Sequence, residues 1–449
     1  MEKHDLTQGS ILEKLTRFFF PILLGMLFQQ LYNTVDAVIV GQCVGPEALA
    51  AVGGSPAAII NLVIGFFTGL ATVATVIVSQ YFGAREEQAM SRAMHTILAF
   101  CILIGCGLSV LGYFSTPWSL RLVKTPADIL AESGIYLRIY YCGAIPLLLF
   151  NVSSGILRAV GDSRTPLLYL GICCIVNIAL DLLFVAAFGM GVAGVGLATV
   201  ISMLVSALLI LRHMARPDSL CRFDWHALHL HPASLRRILR IGVPAGVQGS
   251  MYAISNLIIQ ASINGLGTIV VAAWTTTSKF DGLFWVTSNS MGAAICTFVG
   301  QCFGAGKYER MKQGIRSWLF AALGVSAALS ALLLWLAPYG FRLFTSNSAV
   351  IAQAIEMVWY FAPFYVIWIF IEILSNSLRG AGDSFVPMLI ILFGVCVFRV
   401  IWIFLVVPYW HTVLGISVCY PISWIIAAVA FLYYFFRSDW LKRCLGHLA

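Results

Sequence analysis

A motif of ten positions occurs twice in this chain, and this duplication constrains the fold more than any other feature. The pattern L-R-x-x-G-D-S-x-x-P begins at Leu157 and returns 221 positions later, at Leu378. A second pattern, Q-x-F-G-A, begins at Gln80 and returns at Gln301 with the same offset. Two separate segments that share one spacing indicate an internal repeat, so we expect the chain to contain two copies of one unit.

The composition is that of an integral membrane protein. Of the 449 residues, 60% are hydrophobic and only 10% are charged, whereas soluble domains carry about 25% charged residues. Twelve apolar runs are long enough to cross a membrane, whose hydrocarbon core is about 30 Å thick. They lie at about 17–40, 54–79, 93–114, 133–155, 166–188, 191–212, 242–264, 268–297, 317–338, 353–377, 385–407 and 413–436. The polar residues before the first run do not resemble a cleavable signal sequence.

Each copy of the unit contains six runs, so both copies enter the membrane in the same direction. We therefore predict an all-α integral membrane fold of twelve transmembrane helices, in two parallel six-helix lobes related by a pseudo-two-fold axis along the membrane normal. The predicted domains are the N-terminal lobe (1–212), a linker (213–237) and the C-terminal lobe with its tail (238–449). Such duplication is typical of alternating-access transporters, whose substrate cavity lies between the halves.

The basic residues predict the orientation of the chain. With both termini in the cytoplasm, the inner segments hold 21 of the 27 Lys and Arg residues, as the positive-inside bias requires. The net charge of +8 is spread over many short loops, which argues against a nucleic-acid partner. We expect a bacterial or archaeal cytoplasmic membrane as the location, with the linker solvated and lying on anionic lipid headgroups.

Acids within the first lobe predict an ion site, because each buried charge costs on the order of 3 kcal/mol to insert. Asp36 lies deep in the first span, in a polar stretch over residues 29–36 that should face a cavity. Asp181 lies in the fifth span one turn after Asn177, and Thr199 follows in the sixth. These oxygens suit a monovalent cation or a shared proton. The alternative is a polar network that only holds helices together, but two acids in one lobe favour the ion site.

The second lobe lacks these acids and carries other charges within its spans. Lys279 and Asp281 lie in its second span, Glu372 in its fourth and Arg399 in its fifth. We expect the acids to neutralise the cations. The alternative hypothesis is that Glu372 contacts the substrate.

The repeated L-R-x-x-G-D-S segments are predicted to join the fourth span to the fifth in each lobe. Arg158 and Arg379 fall at helix C-termini, where a cation stabilises the negative end of the helix dipole. Asp162 and Asp383 belong to the turns that follow. We interpret these loops as structural elements that shape the inner face of each lobe, and we expect their Arg–Asp pairs to rearrange when that face opens.

The chain resembles the multidrug and toxic compound extrusion (MATE) family, in its prokaryotic NorM-like and DinF-like branch. The resemblance extends over about residues 14–436, and its most specific elements are the two L-R-x-x-G-D loops, Pro21 with the run Tyr32–Asp36, and Asn177-x-x-x-Asp181. It implies export of small amphipathic, often cationic drugs in exchange for inward Na+ or H+, without a cofactor. The acids of the NorM-like seventh and tenth helices are not found at matching places, which favours the DinF-like subgroup.

The resemblance also implies roles for individual residues. It matches the family's cation site to Asp36, Asn177, Asp181 and Thr199, its polar cavity residues to Tyr32 and Asn151, and a first-helix proline linked to bending to Pro21. With the residues singled out above, the predicted substrate cavity contains Tyr32, Asn33, Asn151 and Glu372. The predicted gating residues are Pro21, Arg158, Asp162, Arg379 and Asp383.

The alternatives to drug export by a monomer are a flippase, a receptor and an enzyme. A flippase for a lipid-linked precursor, from the same superfamily, would need a cationic cavity for pyrophosphate, and Lys279 and Arg399 are the candidates for it. A non-transporting membrane receptor is disfavoured because no soluble domain accompanies the spans. Enzyme activity and a metal site other than Na+ are not expected, because the sequence shows no nucleophile–base pair and no cluster of Cys and His with ligand spacing.

Overall fold

The computed structural model describes residues 5–343, 345, 347–410 and 412–446, and the regular structure in these ranges is helical. The helices before the linker are α1 (Ile11–Cys43), α2 (Pro46–Gly53), α3 (Ser55–Ala84), α4 (Glu87–Leu122), α5 (Leu130–Cys142), α6 (Ala144–Ala159), α7 (Arg164–Asp181) and α8 (Gly191–Met214). Those after it are α9 (Pro232–Asn264), α10 (Thr268–Phe280), α11 (Gly282–Gly304), α12 (Tyr308–Gly340), α13 (Ser348–Phe361), α14 (Tyr365–Gly380), α15 (Phe385–Ile391), α16 (Phe398–Leu405), α17 (Val413–Ser417), α18 (Cys419–Arg437) and α19 (Trp440–Gly446). The predicted lobe boundaries at residues 1–4 and 447–449 lie outside the described residues.

These helices form twelve rods, six in each lobe. Nine stretches of the described chain are long and apolar enough to cross a membrane, and the pair α5–α6, bent by 50°, makes a tenth. α1 and α9 have 33 residues each, which is about 50 Å at about 1.5 Å per residue. They are therefore long enough to cross a membrane, although their polar residues make them less apolar than the other spans. The predicted fold of twelve helices in two lobes is confirmed.

Several rods are broken where the sequence weakens the helical hydrogen bonds. Gly143 separates α5 from α6, and a 3-10 turn over Ala362–Phe364 separates α13 from α14. A proline lies at or just after each break, and proline donates no backbone hydrogen bond. Gly143 and Phe364 are 221 positions apart, so the internal repeat extends to the irregularities of the helices.

Two large apolar cores are buried, each lying mainly in one lobe and completed by residues of the other. The first includes Ile77, Leu98 and Ile156 from α3, α4 and α6, and Ile241 from α9 joins it. The second includes Phe298 and Trp424 of the C-terminal lobe together with residues of α1. The lobes are therefore packed against each other through apolar side chains as well as through polar contacts.

The linker is packed against the N-terminal lobe rather than fully solvated as predicted. Cys221 and Phe223 are buried, and the Phe223 ring stacks on that of His95 in α4. The Asp224 backbone N–H donates to His95 Nε2 over 3.0 Å, and the Thr96 hydroxyl donates to the His229 carbonyl over 3.1 Å. These contacts outweigh solvation because they bury apolar side chains and pair the backbone groups of the linker.

Candidate functional site

Two carboxyl groups meet inside the N-terminal lobe. Asp36 lies on α1 and Asp181 is the last residue of α7, and their side chains are close enough to interact electrostatically. Asp181 has no exposed surface and Asp36 is partly buried. Tyr136 on α5 lies close enough to interact electrostatically with both acids. No sequence motif had pointed to this tyrosine.

The polar atoms around this pair lack partners. Both side-chain oxygens of Asp181, both polar atoms of the Asn177 amide and Asp36 Oδ1 are buried without a hydrogen bond in the described part of the chain. An unpaired buried polar group costs about 1–3 kcal/mol. A proton shared between the acids, or a small cation held by the same oxygens, would remove that cost.

The fourth predicted ion ligand is placed less directly. Thr199 on α8 is nearly buried, and its hydroxyl donates to the Val195 carbonyl over 3.0 Å. This bond uses the hydroxyl proton and leaves the oxygen able to accept or to bind a cation. Asn177 and Asp181 are one turn apart on α7 and project from one face. Directly after Asp181 the chain continues as a π-helical segment over Leu182–Ala187, an irregularity that is frequent at functional sites.

A cavity of about 610 Å³ lies between the two lobes. This volume is in the range of about 300–1,000 Å³ that holds drug-sized molecules. The N-terminal lobe contributes Pro21, Gln29, Tyr140, Asn151 and Arg158 to its wall, and the C-terminal lobe contributes Gln248, Tyr252, Asn289, Trp368, Glu372, Asn376 and Arg379. Polar, aromatic and charged groups from both lobes therefore converge on one space.

The predicted cavity residues divide between this space and other surroundings. Asn151 and Glu372 line the cavity. Tyr32 is instead buried within the N-terminal lobe beside Cys173, and Asn33 is exposed and is not among the residues that line the cavity. The polar stretch of α1 was expected to face one cavity, but consecutive helical residues point in directions about 100° apart, so it covers more than one face.

Arg158 and Arg379 line the same cavity, one from each lobe. The sequence had assigned them to helix ends at the inner surface. They are indeed in the last turns of α6 and α14, but both side chains reach the space between the lobes. Sequence analysis missed this role, since a position near a helix end does not reveal which way its side chain turns.

The acids of the repeated loops hold the next helix and do not pair with these arginines. Asp162 Oδ1 accepts the backbone N–H groups of Arg164 and Thr165 over 3.1 and 3.0 Å. Asp383 Oδ1 accepts from the Val386 N–H over 3.2 Å. Within the described ranges neither loop forms the predicted Arg–Asp ion pair. Their carboxylates accept hydrogen bonds from backbone amides in the first turn of a helix, which have no partner within that helix.

The two Q-x-F-G-A motifs connect the lobes at the face that carries the linker and both ends of the described chain, here called the terminus face. Gln80 Nε2 donates to the Gly380 carbonyl, and Gln301 Nε2 donates to the Ala159 carbonyl, both over 2.8 Å. The two carbonyls are themselves 221 positions apart. The same hydrogen bond is thus made twice, from each lobe to the end of the fourth rod of the other.

The side-chain oxygens of these glutamines bind the segments that lead into the opposite lobe. Gln301 Oε1 accepts from the Leu6 N–H over 3.0 Å, and Gln80 Oε1 accepts from the Arg237 guanidinium near the start of α9. Lys307 Nζ also donates to the Thr7 carbonyl over 3.0 Å. Each glutamine therefore holds both the entrance to the first rod and the end of the fourth rod of its partner lobe.

Glycines allow the helices to touch at this contact. A Cβ atom on Gly83 would lie 2.0 Å from the Gln301 carbonyl oxygen, and one on Gly304 would lie 1.8 Å from the Gln80 carbonyl oxygen. A side chain at either position would push the backbones apart. We call the two glutamines and two glycines the cross-lobe contact. It joins the two lobes at the terminus face.

The charges of the second lobe are satisfied without ion pairs. Asp281 Oδ2 accepts from the Tyr365 hydroxyl over 2.7 Å and from Trp285 Nε1 over 3.1 Å. Arg399 Nε donates to the Ser423 hydroxyl over 3.0 Å, and its guanidinium carbon lies 3.9 Å from the centre of the Tyr420 ring. The expected neutralising pairs are absent among the described residues because hydroxyl, indole and aromatic partners take their place.

Lys279 is exposed and forms no ion pair with a described acid. We therefore expect Lys279→Met alone to keep transport within about twofold of wild type, because surface substitutions usually change stability by less than ~0.5 kcal/mol. The rate of dye transport in proteoliposomes measures this. A loss of transport at equal expression would show that Lys279 contacts a moving part.

Three comparisons place this architecture among known proteins. The sequence model of the MatE family matches residues 21–183 and 244–405, one segment in each lobe. The probable multidrug resistance proteins YpnP and YoeA of Bacillus subtilis (strain 168) are 28% and 26% identical, over 97% and 98% of this chain and 97% of each relative. A solved structure of a MOP superfamily transporter from Pyrococcus furiosus is 24% identical with a TM-score of 0.90, covering 97% of this chain and 98% of that one.

The family match covers well over half of the chain and repeats in both lobes, as the internal duplication requires. These two relatives, matched over nearly their full length, are named as probable multidrug resistance proteins. Together with the twelve rods in two lobes, these findings confirm the resemblance on which the sequence analysis rested. The chain belongs to the MatE family of multidrug transporters.

Proposed function

We propose that this protein is a secondary active exporter that moves small amphipathic compounds out of the cell in exchange for inward H+ or Na+. The observation that carries the proposal is the Asp36–Asp181 pair, buried with unpartnered oxygens in a lobe that also forms a wall of the cavity. Acids within a membrane are typical of ion pathways and proton relays.

The proposed coupling between ion and substrate runs through α1. This helix carries Asp36, and it also lines the cavity through Pro21 and Gln29. Pro21 lies inside the helix and removes one backbone hydrogen bond there, so α1 can bend at this point at low cost. Neutralising or binding Asp36 would then change the position of the cavity wall.

Alternating access requires the cross-lobe contact to open. In our proposal the terminus face is cytoplasmic, because the basic residues are concentrated on it, and the structure represents a state closed to the cytoplasm. The ion site lies within one chain, and the cavity and the contact lie between lobes of the same chain. We therefore propose that a monomer in the cytoplasmic membrane is sufficient for transport.

The test is transport in proteoliposomes under imposed gradients. We expect a pH gradient or a Na+ gradient to drive accumulation of a fluorescent amphipathic dye. An inward gradient of the coupling ion should drive the dye in the opposite direction, and abolishing the gradient should stop it. Movement that is indifferent to both gradients would exclude ion-coupled export.

A flippase for a lipid-linked precursor is the second candidate function. It requires a cationic cavity, and the two cavity arginines supply one, in place of the Lys279 and Arg399 that the sequence suggested. The membership of the MatE family favours the exporter. Transfer of a fluorescent polyprenyl diphosphate between leaflets, with no response to ion gradients, would favour the flippase.

Asn177→Ala should weaken binding of the coupling ion without abolishing transport. The amide has two buried polar atoms without partners and lies one turn from Asp181, so it is expected to act as one ligand among several. Losing one such interaction costs about 1–1.5 kcal/mol, or roughly tenfold in affinity. The ion concentration that gives half-maximal transport measures the effect. An unchanged half-maximal concentration would remove Asn177 from the site.

A further inference from the structure

The wall of the central cavity carries more positive than negative charge. Three ionisable side chains line it, the cations Arg158 and Arg379 and the acid Glu372. We propose that the transported compounds carry an anionic group, such as a carboxylate, sulfonate or phosphate, which binds between Arg158 and Arg379. This inference rests on the proposed export function and names the substrate class of that same cavity.

Arg158 is one of the residues that line the cavity. No hydrogen bond, ion pair or aromatic ring among the described residues holds this side chain, which is partly buried between the lobes. A buried charge without a partner costs several kcal/mol. The group that would remove this cost most effectively is an anion, which guanidinium binds through two parallel hydrogen bonds.

Arg379 is oriented by a neutral amide. One of its terminal nitrogens donates to Gln248 Oε1 over 2.6 Å, and its Nε is buried without a partner. A neutral amide fixes the direction of the guanidinium while leaving its charge and its other donors available. The arginine is therefore arranged to receive a ligand.

Glu372 lies close enough to Arg379 to attract it, but one carboxylate offsets only one of the two positive charges. Its Oε1 accepts from the Asn376 amide over 2.8 Å, and it forms no ion pair with a described cation. Even when Glu372 is ionised, the three groups leave a net charge of +1. An organic cation would be repelled by both guanidinium groups, whereas an anionic amphiphile would pair with them and place its apolar part against Tyr252 and Trp368.

The anion site adjoins the cross-lobe contact. Arg158 precedes Ala159 and Arg379 precedes Gly380, whose carbonyls accept the glutamine hydrogen bonds. The two arginines belong to different lobes and line one cavity. An anion that contacts both would join the ends of α6 and α14, so it would stabilise the state that is closed at the terminus face.

Equilibrium binding of two dyes tests the inference in the absence of any gradient. Fluorescein is an anion and rhodamine 123 a cation, and both contain the same three-ring xanthene. We expect the purified protein to bind fluorescein at least about tenfold more tightly, as measured by fluorescence anisotropy. Arg158→Gln and Arg379→Gln should each weaken fluorescein binding by roughly tenfold, without weakening rhodamine 123 binding. Arg158→Lys should recover part of the loss, because it restores charge but not the planar fork.

Arg216→Gln provides a matched control, because Arg216 is exposed in the linker and should leave both affinities unchanged. Elution as a single species shows that each variant is folded. Equal or tighter binding of rhodamine 123 by the wild type, together with fluorescein binding that is unchanged in both Gln variants, would overturn the inference.

Competitors distinguish two sources of the anionic group. Displacement of fluorescein by farnesyl diphosphate indicates a lipid-linked phosphate, and displacement by salicylate indicates a soluble organic acid. Either result supports the site if the displacement is lost in Arg158→Gln, whereas displacement by neither competitor contradicts the proposed site.

The inference and the export function can fail separately. If gradients drive rhodamine 123 but fluorescein does not bind, the inference fails and the export function stands. If fluorescein binds through the arginines but no gradient moves it, the export function fails and the site stands.

Discussion

Asp36→Asn is expected to reduce ion-driven transport to the level of empty liposomes while leaving the protein folded and inserted. An amide keeps the size of the carboxyl group, but it neither accepts a proton at physiological pH nor carries the charge that attracts a cation. Neutralising an acid within a span also lowers the cost of insertion, so loss of function would not reflect misfolding. Uptake of a fluorescent dye under an imposed pH or Na+ gradient gives the measurement.

The neighbouring acid and a distant acid supply the controls for this experiment. Asp181→Asn should behave as Asp36→Asn does, because the two carboxyls share one site. Asp128→Asn changes an exposed acid outside the helices and should transport normally. Full transport by Asp36→Asn at matched protein density would show that the pair is only structural and would exclude it as the coupling site.

The sequence predicted the architecture well because its signals are local or repeated. A span is recognised from about 20 consecutive apolar residues, and the offset of 221 positions identified the two lobes without knowledge of their packing. The pairing of Asp36 with Asp181 also followed from sequence, since two buried acids in one lobe are costly unless they share a site. These inferences depend on the identity of residues and not on their orientation.

The sequence did not predict the orientation of individual side chains. Arg158 and Arg379 were interpreted as stabilisers of helix ends, yet both face the cavity. Asn33 was placed in the cavity, but it is exposed and is not among the residues that line this space. Successive residues of a helix point in directions about 100° apart. A small rotation of the helix about its axis therefore changes which side chain faces a cavity.

The sequence also did not predict which residues the repeated motifs contact. A repeat shows that two segments adopt the same structure, but it does not show that each binds the other lobe. Gln80 reaches Gly380 across 300 positions of sequence, and Gln301 reaches Ala159 across 142. The offset between Gln80 and Gln301 and that between the two carbonyls are equal, which is the signal of a symmetric contact. This signal can be interpreted as a contact between the lobes only when the two motifs are known to lie at the same face.

The second large effect is expected at this contact, from Gly83→Val and Gly304→Val. Each new Cβ would lie within about 2 Å of a backbone carbonyl oxygen of the other lobe, so the helices must separate. Forcing a bulky side chain into a packed contact costs about 1–3 kcal/mol, which shifts the balance between closed and open states by roughly 5- to 150-fold. We expect both variants to fold, because the clash exists only when the lobes are closed at the terminus face.

Labelling reports that shift directly. Ser375 is buried and lines the cavity, so a Ser375→Cys reporter in a background without other cysteines should react slowly with an impermeant maleimide applied at the terminus face. Adding Gly83→Val should speed the reaction by about tenfold or more and stop transport. Gly171→Val on α7 is the matched control, because a Cβ there meets no atom within 4 Å. If labelling and transport are both unchanged by Gly83→Val, the lobes do not part at this contact and the pathway opens elsewhere. If labelling rises while transport continues, closure of the terminus face is not needed for exchange, and alternating access through this contact is wrong.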